Sequence, residues 1–307
     1  MGTLANKRIV DPVLTNLARG YHNAMMIAAE LFPVVTVSKE GGKIPEFTKE
    51  SFKIYNTERA IRANSNRINP EDRTTIDFVL TEHDLEYPVD YREEAEDALP
   101  TKINATRVCV DGIKLRLEKL AADDAQDLAN YPVGQKETLA AGDKFDNSSS
   151  DPFPIFSNAV ETVRQSIGVR PNVCVMGASS YAALKEHPAV LDRIKYSQKG
   201  VVTPDLLKSL LNFDKLVIGD AVYASDSGAF SDVWSDNVII AYVPPQLSNI
   251  PRSYYEPAFG YTLRKKNMPV VDTYTENGKV LLVRNTDTFV TKIVGSDAGY
   301  LINDTNA

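Results

Sequence analysis

The chain has 307 residues, of which 43% are hydrophobic and 24% charged, so it can bury the core of a globular protein of about two domains. Its 34 basic and 41 acidic side chains give a net charge of −7, which excludes a protein that binds nucleic acid through a basic surface overall. No apolar run approaches the roughly 18 residues of a membrane helix, and the start MGTLANKRIVDPV lacks the apolar core of a signal peptide, so we expect a soluble protein without a secretion signal.

The first predicted element is a helix over residues 11–32. Apolar side chains recur there at helical spacing, at Leu14, Leu17, Tyr21, Met25 and Ala28. The following segment FPVVTVSKEGGKIPEF changes to β character, and Gly41-Gly42 predicts a turn within it.

The stretch TERAIRANSNRINPEDR, residues 57–73, is polar and contains four arginines. It lies between two segments of extended character, around residues 44–55 and 74–87, and the second alternates apolar and polar side chains. We therefore predict a long two-stranded hairpin with an arginine-rich tip. Because an isolated two-stranded ribbon is marginally stable in water, the ribbon should lie on another surface.

Charge is unevenly distributed around this hairpin. Residues 1–76 carry eleven basic and eight acidic side chains, a net charge of +3, whereas residues 77–98 carry nine acidic side chains and only Arg92, a net charge of −8. The acidic part includes a predicted short helix over 90–98. The split predicts complementary surfaces within one chain or between copies, and an ordinary solvated helix face is the alternative interpretation of the acidic run.

A long helix is predicted from Thr101 to about Leu128. Its apolar side chains alternate steps of three and four residues and form one stripe: Ile103, Thr106, Val110, Ile113, Leu117 and Leu120. A helix of roughly 28 residues would be about 40 Å long, well above the average for globular proteins.

The second half of the chain alternates helices and strands after a polar loop near residues 131–153. Helices are predicted at 154–166, 179–185, 189–194 and 204–212, and strands at 172–176, 215–218 and 237–243. The last fifty residues are β in character, with an Asn-Gly hairpin signal in Glu276-Asn277-Gly278.

No residue pattern predicts a catalytic, cofactor or metal site. MGASSYA lacks the second glycine of a nucleophile elbow, and Ser179 is better explained as a helix N-cap. The three histidines lie on separate segments, His187 before Pro188 at a helix end, and neither phosphate-binding glycine motif is present. Cys109 and Cys174 have the apolar neighbours of buried, reduced thiols.

The order of these parts resembles the major capsid proteins of tailed bacteriophages, whose fold is shared with herpesvirus shells and encapsulins. The segment GQKETLAAGDKFDNSSSDPFPIFSNAVETV is similar to that family's G-x-x-W/F-x-x-x-x-S-D-P loop and helix. GVRPNVCVMGASSYAALKEHPAVLDRIKY is similar to its G-x-x-P-N turn, strand and L-x-x-H-P segment, and EPAFGYTLRKKNMPVVDTY with DAGYLINDT resembles its closing strands.

The resemblance implies an α+β fold, the tailed-phage major capsid fold, with named parts. These are an N-terminal arm (1–43), an extended β-hairpin loop (44–88), a peripheral domain with a long spine helix (89–135), a mainly α/β axial domain (136–255) and a closing β segment that returns to the peripheral domain (256–307). No charged helical segment of a fused scaffolding domain precedes the arm, so we expect any scaffold to be a separate protein.

The implied function is a structural one, without cofactor or metal. The chain would self-assemble as hexamers and pentamers into an icosahedral shell that encloses double-stranded DNA without sequence-specific binding. Portal, scaffolding or cement proteins are the expected partners, and the expected locations are the virion capsid and, during assembly, the host cytoplasm. The hairpin would lie over a neighbouring subunit, and its arginines would face acids there. The predicted contact residues are Arg59, Arg62, Arg67 and Arg73 on one side and Glu93, Glu94, Glu96 and Asp97 on the other.

Two other functions remain open at this point. An encapsulin has the same fold and encloses protein cargo instead of a genome. A cytoplasmic α/β enzyme would require a pocket with perturbed ionisable groups, and the sequence does not assemble one.

Overall fold

The computed structural model describes residues 26–46, 54–67, 74–96, 101–195, 202–225, 228–246 and 252–306. These residues form two five-stranded sheets, two short two-stranded ladders and the helices that pack on them. The helices are α1 (Ala28–Leu31), α2 (Tyr91–Glu96), α3 (Thr101–Gln126), α4 (Pro152–Ile167), α5 (Ala178–Glu186), α6 (Pro188–Ile194) and α7 (Pro204–Leu211).

The first sheet is built around one long strand. Its strands are β1 (Val34–Val37), β4 (Thr81–Asp90), β11 (Gly260–Lys265), β12 (Val270–Glu276) and β13 (Val280–Ile293). The last of these, β13, pairs antiparallel with β4, β11 and β12, and β1 adds to β11 in parallel. Asn277 (φ 51°) and Gly278 (φ 69°) both adopt left-handed conformations between β12 and β13, as a type I′ hairpin turn requires, which confirms the Asn-Gly prediction.

The long helix α3 lies across β4 and β13. Its length agrees with the prediction, but its buried face differs from the predicted apolar stripe. Of the predicted apolar stripe only Ile113 is fully buried, and Ile103 is 55% exposed. The buried face is made instead mainly of small side chains: Ala105, Cys109, Ala121, Ala122 and Ala125. A Cβ added at Gly112 would lie 2.7 Å from a terminal methyl group of Leu85 in β4, so the glycine leaves room for that side chain. Apart from the exposed Ile103 and the buried Ile113, the residues of the predicted stripe are half-buried, so the stripe lies beside the buried face and only partly on it.

The second sheet has the strand order β5-β14-β10-β6-β7. Its strands are β5 (Lys136–Thr138), β6 (Val173–Gly177), β7 (Lys215–Gly219), β10 (Val238–Ala241) and β14 (Gly299–Asn303). The central strands β6 and β10 are fully buried, with α4 to α7 packed around Cys174, Met176 and Ile240. The chain thus returns at its end to this sheet, while the closing hairpin belongs to the first. The domain boundaries themselves stay predictions.

The predicted long ribbon is described only at its base, because residues 47–53 and 68–73, where it would continue, lie outside the described residues. β2 (Gly41–Pro45) pairs with β3 (Thr75–Val79) over five residues, and Gly41-Gly42 begins the strand instead of forming a turn. Ile54 and Tyr55, predicted as strand, have no regular structure. The second predicted arm divides in two, because the chain after β3 leaves the ribbon and β4 pairs with β13. The strand β4 therefore pairs within a larger sheet, which is more stable than an isolated two-stranded ribbon.

The N-terminal segment is buried where the structure describes it. The predicted helix over 11–32 lies largely outside the described residues, and its described end is α1. Leu31 and Phe32 are fully buried, and Val35 and Val37 of β1 belong to the core. This part of residues 1–43 therefore packs into the core of the subunit.

A buried carboxylate connects this segment to both sheets. Glu118 of α3 is 1% exposed and accepts hydrogen bonds from the backbone N–H groups of Ile27 (2.9 Å) and Ala28 (2.8 Å). It also accepts one from the indole Nε1 of Trp234 (2.7 Å), which precedes β10. Three donors compensate the burial of one carboxylate, and the two bonds at the start of α1 satisfy N–H groups that lack helical partners.

We expect Glu118→Ala to lower the free energy of unfolding by about 3 kcal/mol, because it leaves three buried donors without an acceptor. Glu118→Gln should cost less, since the amide keeps one acceptor oxygen. Urea unfolding of the unassembled subunit measures both, and Glu186→Ala, at the exposed end of α5, is the matched control. Equal stability of the Glu118→Ala and Glu186→Ala variants would contradict this role for Glu118.

Candidate assembly surfaces

The tip, residues 54–67, has its own local structure. Ala63 N donates to Ala60 O (3.0 Å), and Arg62 within this turn has a left-handed φ of 69°. The Asn66 side chain donates to Asn56 O (2.6 Å) and Glu58 O (3.1 Å), which ties the two sides of the tip together. The tip is therefore a shaped loop, although every side chain in it is exposed.

Apolar side chains in the tip stand in solvent. Ile54 is 100% exposed, Ile61 is 93% exposed, and Tyr55 is also exposed. Scattered exposed apolar residues are common, but here they alternate with arginines in one loop, and aromatic residues and arginine are enriched in protein interfaces. The sequence prediction named only the arginines. The two isoleucines, among the few large apolar residues of this polar stretch, were the signal that it missed.

Within the described residues, the predicted arginines form no ion pair with the predicted acids. Arg59 Nη1 donates to Ala63 O (2.6 Å), and among described residues no ion pair joins Arg59, Arg62 or Arg67 to a carboxylate. Arg73 and Asp97 lie outside the described residues.

The acidic patch consists of Glu93, Glu94 and Glu96 on α2. Glu94 forms an ion pair with Lys102 (2.9 Å) at the beginning of α3. Each of these glutamates is exposed or half-buried, so the patch lies at the surface of the described chain.

Ser179 is not the N-cap of α5, contrary to the prediction. The N-cap is Gly177, and a Cβ there would lie 1.7 Å from the backbone oxygen of Ser235, so no other residue fits. Ser179 lies in the first turn, with its hydroxyl 3.5 Å from the same oxygen, and it has no base beside it. The position is explained by packing of the strand–helix turn.

His187 connects the two segments that carry the family resemblance. Its Nε2 lies 3.1 Å from the Ser150 hydroxyl and 3.0 Å from Asn147 O, in the Ser-Asp-Pro loop. Its Nδ1 accepts from Ala189 N (3.1 Å) and so caps α6, the helix that follows, whereas the sequence predicted a role at the end of the preceding helix. A buried imidazole with all of its partners supplied by backbone and serine is structural.

The remaining candidates for chemistry are also held in packed surroundings. His83 stacks on Phe289, with ring centres 4.3 Å apart, and its pKa is lowered by burial and by Arg116, although Asp287 opposes this. Burial raises the pKa of the Cys109 and Cys174 thiols, so neither is a ready nucleophile. His22 lies outside the described residues.

Within the described ranges, no group of three or more His, Cys, Asp or Glu side chains is placed to hold a metal ion. None of the helices in those ranges is long and apolar enough to cross a membrane.

The comparisons with known proteins agree on one family. The model of phage major capsid protein E matches residues 28–280. The chain is 53% identical over 306 residues to the major capsid protein of Burkholderia phage BcepMu, and the match covers 100% of both chains. A crystal structure of a phage-related protein from Bordetella bronchiseptica has 33% identity and a TM-score of 0.76, covering 97% of each chain. An encapsulin of Synechococcus elongatus is similar in fold, with a TM-score of 0.56 and 11% identity over 97% of this chain and 96% of its own.

Proposed function

Because this chain belongs to the family of phage major capsid protein E, we propose that its copies contact one another in the shell through the tip and the acidic patch. The chain is a structural protein of a phage capsid and not an enzyme, and self-association is its function. The observation that supports this contact is an exposed tip whose apolar and basic side chains have no cover in the described chain.

The two kinds of tip side chain contribute differently. An exposed ion pair contributes about 0.2–1 kcal/mol, so the arginines alone do not hold subunits together. Burying an isoleucine side chain fully contributes roughly 1.5–3 kcal/mol, so Ile54 and Ile61 supply most of the affinity at each contact. The arginines then select the partner and its register, by facing carboxylates and avoiding other basic surfaces.

The acids that face the tip are those of the acidic patch on an adjacent subunit, together with Asp97. Since no ion pair joins the described arginines of the tip to the acidic patch of the same chain, an adjacent subunit is the proposed partner. Arg73 belongs to the same basic set as Arg59, Arg62 and Arg67. Repetition around a closed lattice makes several weak pairs per contact sufficient to set orientation.

The proposed assembly is an icosahedral shell of hexamers and pentamers around double-stranded DNA. The parts are those expected from the sequence, with the axial domain at the symmetry axes and the peripheral domain between them. A net charge of −7 suits a container that holds DNA without binding it tightly. Portal, scaffolding or cement proteins are the proposed partners, and assembly takes place in the host cytoplasm. A phage capsid relative at 53% identity favours a genome container over an encapsulin, which shares only the fold.

We expect the double change Ile54→Ser and Ile61→Ser to raise the subunit concentration needed for assembly about tenfold or more. The physical reason is the loss of apolar burial that exists only between subunits. Light scattering and electron microscopy of assembly reactions measure the effect, and urea unfolding should show an unchanged subunit. Val133→Ser is the matched control, since Val133 is 97% exposed but outside the tip. Normal assembly by the double variant would contradict the proposed tip contact.

Reversing Arg62 and Arg67 to Glu should block assembly while the subunit stays folded, because like charges then face each other. Adding Glu93→Arg and Glu94→Arg should partly restore it, because opposite charges then face each other again. The particle yield after purification is the measurement. Assembly of the first variant at the normal yield, or no gain from the second pair of changes, would show that these acids are not the partners.

A further inference from the structure

A groove lies beside the first half of α4, the residues that follow α4, and the end of α7. Its volume is about 490 Å³, and its floor includes Phe156, Val160 and Leu211. Arg170 and Arg193 stand at its rim, and both are exposed. The groove thus combines an apolar floor with two positive charges.

The rim arginines are placed to receive an anionic, apolar partner. The guanidinium of Arg193 lies 3.4 Å from the centre of the Phe153 ring, which fixes it over the groove by a cation–π contact. In the described chain neither rim arginine forms an ion pair, and Glu161, the acid near Arg170, is held in a bidentate pair by Arg164.

A small hairpin elsewhere on the same domain has the complementary character. Strands β8 (Val222–Ala224) and β9 (Phe230–Asp232) pair antiparallel directly after β7. Phe230 is 76% exposed, and Asp232 shares its face of β9 because side chains alternate along a strand. The hairpin therefore presents an aromatic ring with a carboxylate beside it.

The groove and the hairpin lie at opposite ends of the parallel strands β6 and β7. Arg170 comes shortly before β6, and Leu211 shortly before β7, so the groove is at the amino ends of these strands. The hairpin follows the carboxyl end of β7. A strand of five residues is about 16 Å long, so Phe230 cannot be expected to lie in the groove of its own chain.

We propose that the groove of one subunit binds the Phe230 hairpin of the next copy of the chain. Phe230 enters the apolar floor, and Asp232 faces Arg170 and Arg193. Because donor and acceptor surfaces lie at opposite ends of one domain, the contact is head-to-tail, and repetition around an axis closes a ring. The inference deepens the proposed shell function, on which it rests, by naming the surfaces that join neighbours within a ring.

Cysteine cross-linking tests the contact in the full-length chain. The variant with both Phe230→Cys and Ser157→Cys places one thiol on the hairpin and one in the groove lining. Under mild oxidation during assembly, the double variant should form a ladder of covalent dimers, trimers and larger species on a denaturing gel. Each single variant should form no covalently linked species. The native thiols of Cys109 and Cys174 are buried and do not interfere. The matched control pairs Phe230→Cys with Val133→Cys, which should give no ladder.

A charge exchange gives an independent readout. Asp232→Arg and Arg170→Asp should each raise the subunit concentration needed for assembly about fivefold or more, and the two changes in one chain should restore it. In an equimolar mixture of the two single variants, each hairpin matches only the groove of the other variant. The two variants should therefore alternate and form rings with an even number of subunits.

The outcomes distinguish this contact from the shell function. A wild-type chain that assembles while the double-cysteine variant gives no ladder overturns the groove contact alone. Dimers from the single Phe230→Cys variant indicate a symmetric contact and also overturn it, as does failure of the charge exchange to restore assembly. A wild-type chain that forms no oligomer at any concentration overturns the proposed function together with the contact.

Discussion

The fold depends on one buried carboxylate at the junction of its parts. Glu118 extends from the helix that covers the first sheet and receives donors from the N-terminal segment and from Trp234, beside the second sheet. The small residues of the same helix, Ala121 and Ala125 among them, pack in the same cluster as Trp234 and Phe259. A polar group in such a place is tolerated only while its hydrogen-bond partners are present, so Glu118 favours a single arrangement of the N-terminal segment, the helix and the sheets.

The sequence predicted local elements well, because their signals are local. Asp151 accepts a hydrogen bond from Phe153 N at the start of α4, and Thr203 caps α7 in the same way. The sequence prediction failed where contacts with a distant segment determine the structure. The pairing of β4 with β13 joins residues about 200 positions apart, and α3 buries the face that packs on these two strands. Of the candidate site, charge patterning located the tip and the acidic patch, but not the exposed isoleucines or the Phe230 hairpin.

The large apolar side chains of the tip and of the core differ in burial. Trp234 and Phe259 are covered within the chain, whereas Ile54 and Ile61 are not. A subunit that kept such side chains exposed permanently would carry a liability for nonspecific association. Under the proposed contact, burial of these side chains between copies drives association, and the hydrogen bonds of Asn66 hold the loop in one shape beforehand.

The exposure of the tip also determines when proteases can cleave the chain. Arg59, Arg62 and Arg67 are exposed and lie in a backbone without strand partners, the kind of segment that trypsin-like proteases cleave most readily. A newly made subunit is therefore open to digestion in a cell that contains such enzymes, and a subunit whose loop is covered by a neighbour is not. Under the proposed contact, incorporation into the lattice therefore protects the loop of each subunit from cleavage.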